Sequence, residues 1–169
     1  MRSLIDEPEV PTATCAQCTN SKKAEYTNSR DIFERNLNQL KALHHSQCLF
    51  NRQLPLIPGL RFRFDDSGVL FGEFTCDETS QGYDEMVHGG LLAAIIDASM
   101  AQCLMGHNIV AYTAELSIKY RKPVLIQQPA LLKTSIVEIN AGLLYNLKSE
   151  IIQNSSLVVQ AKGKFFKVK

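Results

Sequence analysis

The sequence predicts an α+β fold: a curved antiparallel sheet of five to six strands wrapped around one long central helix, with an N-terminal helical extension. Three observations predict it. The run Leu91-Leu92-Ala93-Ala94-Ile95-Ile96 opens a helix-length segment that is apolar on nearly every side, which a surface helix would not be. Segments before and after it alternate apolar and polar residues with a period of two. After the helix only such strand-like segments follow, joined by short turns, and they read as an antiparallel run packed on that helix.

Residues 1–28 are rich in Pro, Thr, Ser, Asn and Lys and show no sustained period, so they read as a loosely ordered leader. Residues 29–169 then form a single domain. Asn28-Ser29 is placed to cap a helix over about 30–44, in which Ile32, Phe33, Leu37, Leu40 and Leu43 recur at helical spacing. Pro55 and Pro58-Gly59 punctuate the loop that follows. From Leu60 the period becomes two: Leu60, Phe62 and Phe64 alternate with Arg61, Arg63 and Asp65, Asp66-Ser67-Gly68 turns, and Val69 to Cys76 returns. Asp77 to Glu85 is polar and reads as a loop into the central helix at about 88–105, with Gly106 as its stop. Tyr112 to Arg121 is the clearest strand. Ala130–Ile139 and Leu143–Ile152 flank the turn Asn140-Ala141-Gly142, and Leu157–Val168 follows Asn154-Ser155-Ser156.

With 169 residues, 45% of them hydrophobic, the chain suits one domain with a proper core. A formal net charge of +1 gives no sign of a nucleic-acid partner. The apolar run ends at Asp97, short of the roughly 20 residues of a membrane span, and the N-terminus carries no apolar signal core. A cytoplasmic protein without nucleic-acid or membrane partners is therefore expected. Five cysteines, an odd count, point to reduced thiols rather than a disulfide framework. Cys15-Ala16-Gln17-Cys18, with His44, His45 and Cys48 downstream, is the one metal-like spacing, but a lone pair in a polar segment does not make a site, and neither metal nor cofactor is expected.

The stretch His88-Gly89-Gly90 followed by an apolar helix carrying Asp97 is where chemistry is expected. The first N–H groups of a helix are unpaired and carry partial positive charge, and two glycines leave that backbone open to an oxygen gaining negative charge in a reaction. A carboxylate in an otherwise apolar helix is costly unless paired, solvated or used. On one helix, nine residues set Asp97 on the side opposite His88 and roughly 13 Å further along, too far for one small group to touch both. The helix is apolar all round, so a second subunit is expected to cover the side the sheet leaves open.

These residues, with the strand end Tyr120-Arg121-Lys122-Pro123-Val124, resemble the hotdog-fold acyl-CoA thioesterases. The branch is the one that includes phenylacetate-pathway thioesterases and small thioesterase-superfamily proteins. The resemblance covers about residues 45–168. His45-Ser46-Gln47-Cys48 ahead of Pro58-Gly59-Leu60 is similar to the HxxCxxC element of one subgroup, with Asn51 in place of its second cysteine. The resemblance implies that two subunits pair through their sheets and central helices, as a dimer or a dimer of dimers, with each site at the interface. Gly89 and Gly90 would polarise the thioester carbonyl, the expected oxyanion donor being the N–H of Gly90. Asp97 from the partner subunit would act as general base or nucleophile, His88 would orient substrate or shape the helix start, and Thr113 would hold the attacking water. Two departures stand out: Gly82, next to Gln81, where some members carry Asn or Gln, and Ala101 where another branch has Ser or Thr.

Thr113 sits inside strong strand alternation, so its own pattern reads equally as a surface hydroxyl. Gln81, Gly82 and Tyr83 are candidate substrate contacts. Arg121 and Lys122 suit the phosphates of coenzyme A or stand solvated at a strand end. Tyr83, Met86 and Met100 are candidate walls for the acyl chain. No G-x-S-x-G elbow is present, which counts against a serine esterase. The expected activity is hydrolysis of acyl-CoA; the alternative is a non-catalytic acyl-CoA binding or sensing module on the same fold, and a hydratase ranks last.

Overall fold

The computed structural model describes residues 28–51, 57 and 59–168. Helix α1 (Ser29–His44) is followed by strands β1 (Arg61–Phe64) and β2 (Leu70–Phe74), a short ribbon of β3 (Gln81–Tyr83) and β4 (Met86–Val87), and helix α2 (Gly89–Gly106). Four longer strands complete the chain: β5 (Ala111–Tyr120), β6 (Ala130–Asn140), β7 (Leu144–Gln153) and β8 (Ser156–Lys167). Six strands form one antiparallel sheet in the order β1-β2-β6-β7-β8-β5. The chain therefore takes the predicted α+β fold with α2 at its centre. Cys15 and Cys18, the leader, Pro55 and Pro58 lie outside the described residues.

The long strands form where period two is strongest, and one face of each supplies the core. Leu132 and Thr134 of β6, Tyr145, Leu147, Ser149 and Ile151 of β7, and Val159, Ala161 and Phe165 of β8 are buried. Facing them are Leu92, Ile95, Ile96, Met100, Cys103 and Leu104 of α2, in one apolar cluster that also takes in Leu37 and Leu40 of α1. Within it a chain of hydroxyls ties helix to sheet: Ser99 Oγ lies 2.8 Å from Thr134 Oγ1, and that atom lies 2.8 Å from Ser149 Oγ. The hairpins turn at Ala141-Gly142 and Asn154-Ser155, both pairs at positive φ. That geometry matches the right-handed twist of the strands they join.

Four expectations need correction. Asn28 occupies the N-cap of α1, but its side chain makes no capping bond. The segment read as a loop over 77–85 contains β3 and leads to its partner β4; strands of three and two residues are too short to show a period. The open side of α2 is not left wholly to a second subunit. Helix α1 lies over its C-terminal half, where Asn36 Nδ2 donates to the Gly106 carbonyl at 3.0 Å and Lys41 Nζ to Gln102 Oε1 at 3.3 Å. Burial there pushes the Lys41 amine below its ordinary range. Finally, α2 is 18 residues long with a mean hydropathy of 1.4, which does meet the length and composition of a membrane span. Its position inside the sheet accounts for that apolarity.

Burial also sets the thiols apart. It pushes the Cys103 thiol up to about 12 and raises Cys76 as well, so neither holds appreciable thiolate near pH 8. Cys48 is half-buried. In native protein treated briefly with iodoacetamide at pH 8, peptide mass spectrometry should find Cys48 alkylated well before Cys76 and Cys103. Early labelling of Cys103 would contradict this packing.

Candidate active site

Strand β5 is the outer edge of the sheet and runs along the N-terminal half of α2. Its partner register with β8 slips between Thr113 and Glu115. A bulge of this kind inserts one residue and re-aims the side chains beside it. On the far side of the slip Glu115, Ser117 and Lys119 pair with Lys164, Lys162 and Gln160, whereas Thr113 pairs with the buried Phe165. Thr113 thus leaves the polar face its spacing assigns it to and turns toward the helix. Its Oγ1 donates to Asp97 Oδ1 at 2.7 Å, a charge-assisted bond to a carboxylate. Asp97 is half-buried on α2, and among the described residues its Oδ2 has no hydrogen-bond partner.

The helix start is built by its own cap. His88 Nδ1 accepts the Gly90 N–H at 2.9 Å, and the His88 carbonyl accepts from Leu91 and Leu92. An accepting Nδ1 places the ring proton of neutral His88 on Nε2. His88 is held against the ribbon: the carbonyl of Ser80, just ahead of β3, accepts the His88 backbone N–H at 2.8 Å, and Gly82 lies so close that a Cβ there would sit 2.9 Å from His88 Cα. This explains why Gly82 departs from an amide side chain. Gln81 turns instead to its own ribbon, accepting the Glu85 N–H at 3.0 Å.

The expectation that Gly90 offers the oxyanion donor is therefore revised, because its N–H is engaged by His88. The donor left without a protein acceptor among the described residues is the N–H of Gly89. The nearest atoms that a Cβ added at Gly89 would meet belong to Tyr120, at the ordinary contact distances of 3.6–3.7 Å, and its φ is not positive. Nothing among the described residues requires a glycine there, so the bare backbone is open to close approach from outside.

The other sequence candidates fall into two groups. Tyr83, at 81% exposure, and Met86 lie on the ribbon that leads to the helix start. Met100 is fully buried, which removes it as an acyl wall. Arg121 and Lys122 continue from β5 past Tyr120 and bond Gln160 Oε1 at 2.8 Å and Ser156 Oγ at 3.4 Å. Both are exposed. Lys122 also borders a cavity of about 330 Å³ shared with Pro123, Leu125, Gln153, Asn154, Ser156 and Val158. Among the described residues no three His, Cys, Asp or Glu side chains group as metal ligands. Sequence reasoning missed Tyr120, whose hydroxyl donates to the Gly89 carbonyl at 2.8 Å; its place at a strand end gave no signal of that contact.

The structure brings Asp97 and Thr113 together, and separately His88, Gly89, Gly90 and Gly82. These two groups lie roughly 13 Å apart along one helix. The half-exposed strip between them, Ala93, Ala94 and Asp97 with Ala101 beyond, is narrow and carries small residues.

Residues 85–143 match the thioesterase superfamily. The mouse protein named acyl-coenzyme A thioesterase THEM4 is 30% identical over 89 residues, which are 52% of this chain and 38% of that protein. The chain thus matches well under half the length of this curated relative. Among solved structures, the Escherichia coli PaaI protein of the phenylacetic acid degradation operon superposes with a TM-score of 0.67 at 14% identity, over 81% of this chain and 96% of its own. A hypothetical thioesterase of Streptococcus pneumoniae, solved with coenzyme A, gives a TM-score of 0.60 at 18% identity, over 65% and 89%. That protein was also solved as alanine variants of an aspartate and a threonine, whose separation in its sequence is the 16 residues between Asp97 and Thr113 here. At these identities the structural likeness is one of fold, the hotdog.

Proposed function

Because residues 85–143 match the thioesterase superfamily and the fold is that of the hotdog thioesterases, we propose that the chain hydrolyses acyl-CoA to the free acid and coenzyme A. The working unit in this proposal is a homodimer. The observation that carries it is the pair Thr113–Asp97, set on the strip of α2 that the described residues leave half-exposed. One chain cannot bring that pair to its own Gly89 N–H; the start of α2 in one subunit with Asp97 of the partner subunit makes a complete site.

The hydrogen bonds support one arrangement. Thr113 spends its proton on Asp97 Oδ1, so toward water it can only accept. A water that donates one hydrogen to Asp97 Oδ2 and the other to Thr113 Oγ1 is left with its lone pairs directed at the acyl carbon. Attack forms the new carbon–oxygen bond while Asp97 takes the proton. The acyl oxygen gains charge against the Gly89 N–H and the positive end of α2. Collapse then breaks the carbon–sulfur bond, and the coenzyme A thiolate leaves with the proton from Asp97. This favours the general-base role over direct attack by the carboxylate. His88 acts here as the cap that orients the helix start, with Gly90 as its donor. In this reading Gln81, Gly82 and Tyr83 flank the acyl end, and the exposed Arg121 and Lys122 at the end of β5 meet the coenzyme A phosphates.

The test is hydrolysis of short, long and aromatic acyl-CoAs by the purified protein, with released thiol trapped and free acid quantified. Equal amounts of thiol and acid are expected for at least one class. Saturable binding of acyl-CoA with no thiol release would replace this reading with the non-catalytic binding module.

A further inference from the structure

Two successive glycines have more backbone freedom than any other pair and weaken a helix that begins with them. Yet the Gly89–Gly90 peptide is held on both edges. Its N–H donates to His88 Nδ1 at 2.9 Å, and its carbonyl oxygen accepts from Tyr120 Oη at 2.8 Å. The Tyr120 ring also lies against Gly89, within contact distance of where its Cβ would be. The peptide before it, between His88 and Gly89, is fixed through its carbonyl, which accepts from Leu91 and Leu92. What remains free in this frame is the Gly89 N–H, with the direction in which it points set by the grips on either side. Among the described residues Tyr120 is the side chain of the main sheet that hydrogen-bonds the first turn of α2. Tyr120 is the last residue of β5, the strand whose bulge also aims Thr113 at Asp97. One edge strand therefore orients both halves of the machinery.

We propose that Tyr120 is a positioning residue for thioester hydrolysis: its hydroxyl locks the Gly89–Gly90 peptide and so aims the Gly89 N–H at the acyl oxygen. The proposal rests on the hydrolase reading above. Burial raises the pKa of the Tyr120 hydroxyl, so it remains a donor through neutral and mildly alkaline pH. A donor fixed in advance is worth most where charge develops, so the contribution falls on the chemical step rather than on substrate binding.

Tyr120→Phe removes the hydroxyl and keeps the ring. With the acyl-CoA that wild type hydrolyses best, kcat should drop about tenfold while KM stays within about twofold, the signature of an interaction realised in the transition state. The Gly89 carbonyl-carbon and Gly90 amide-nitrogen NMR signals should move in the same variant, with those of β1 and β2 unchanged. A residue that only packs would leave kcat intact in Tyr120→Phe and lower it in Tyr120→Ala, and that result overturns the proposal. So does an unmoved Gly89 carbonyl signal. If wild type hydrolyses no acyl-CoA, the hydrolase reading fails and the positioning role falls with it, and the NMR comparison then reports only the hydrogen bond.

Discussion

On the proposed hydrolase reading, replacing Asp97 by Asn should lower acyl-CoA turnover at least a hundredfold and leave a folded, assembled protein. Asn has the shape of Asp, and its carbonyl oxygen can still accept the Thr113 Oγ1 proton, now made at 2.7 Å to the carboxylate. The site is half-buried, so losing the charge strands no partner in the core. What Asn cannot do is take a proton from water, and positioned general bases typically contribute about 10²–10⁴-fold. Thr113→Val should cost less, about tenfold, because Asp97 remains as base and only the second anchor for the water is lost. The two changes act on one water, so the double variant should be little worse than Asp97→Asn alone. Thiol-release kinetics give the turnover, and thermal melting with size-exclusion chromatography checks fold and assembly. Hydrolysis at the wild-type rate by Asp97→Asn across the acyl-CoA panel would remove Asp97 from the chemistry.

The parts of this molecule that were legible in the sequence are those specified by hydrophobic period. Helix α2 and strands β6 to β8 came out within a residue or two because each buries an apolar surface written at fixed spacing, and β5 did so because Leu116 and Ile118, which pack on the core, alternate with polar residues. The hairpin corners were legible from their turn residues. The candidate site was legible as a stretch of sequence but not as a set of bonds. Thr113 looked like a surface hydroxyl because a bulge adds a residue without altering composition, and nothing in Tyr112-Thr113-Ala114-Glu115 announces the slip. Gly90 looked like the free donor because a sequence shows that a helix begins but not which of its N–H groups the cap consumes; His88 takes that of Gly90. Tyr120 was passed over because its partner is a backbone carbonyl 31 positions away. Helix α1 was found, but its docking on α2 rests on single long-range contacts from Asn36 and Lys41, which periodicity does not encode.

Gly106 is the sharpest case of a residue legible for the wrong reason, and its replacement has the largest expected effect on stability. The sequence reading made it a helix stop, which implies a left-handed glycine. Helix α2 does end at Gly106, but that residue is not at positive φ; the left-handed residue is Asn108, at φ 61. Beside it Asn108 N–H donates to Met105 and Ile109 N–H to Leu104, closing the last turn. Gly106 is instead required by Phe64, because a Cβ there would lie 2.1 Å from the ring Cζ and 2.5 Å from Cε2. Phe64 has no room to retreat. It is 2% exposed and stacks on Phe33 of α1 at 5.4 Å between centroids. His107 packs on Phe33 at 4.7 Å and is anchored by its ring nitrogen to the Gly68 carbonyl at 2.9 Å. Helix propensity alone favours Gly106→Ala by about 1 kcal/mol, whereas overpacking a closed core costs about 1–3 kcal/mol or more. With the ring forced to move by over an ångström, overpacking wins, and Gly106→Ala should be destabilised by about 2 kcal/mol in urea unfolding. Adding Phe64→Leu to that variant should cost less than Phe64→Leu costs in wild type, since the new methyl group enters the space the ring vacates. Asn108→Gly should be nearly neutral, because the left-handed position accepts either residue. A Gly106→Ala variant more stable than wild type would mean that propensity governs this helix end and that the Phe64 ring yields.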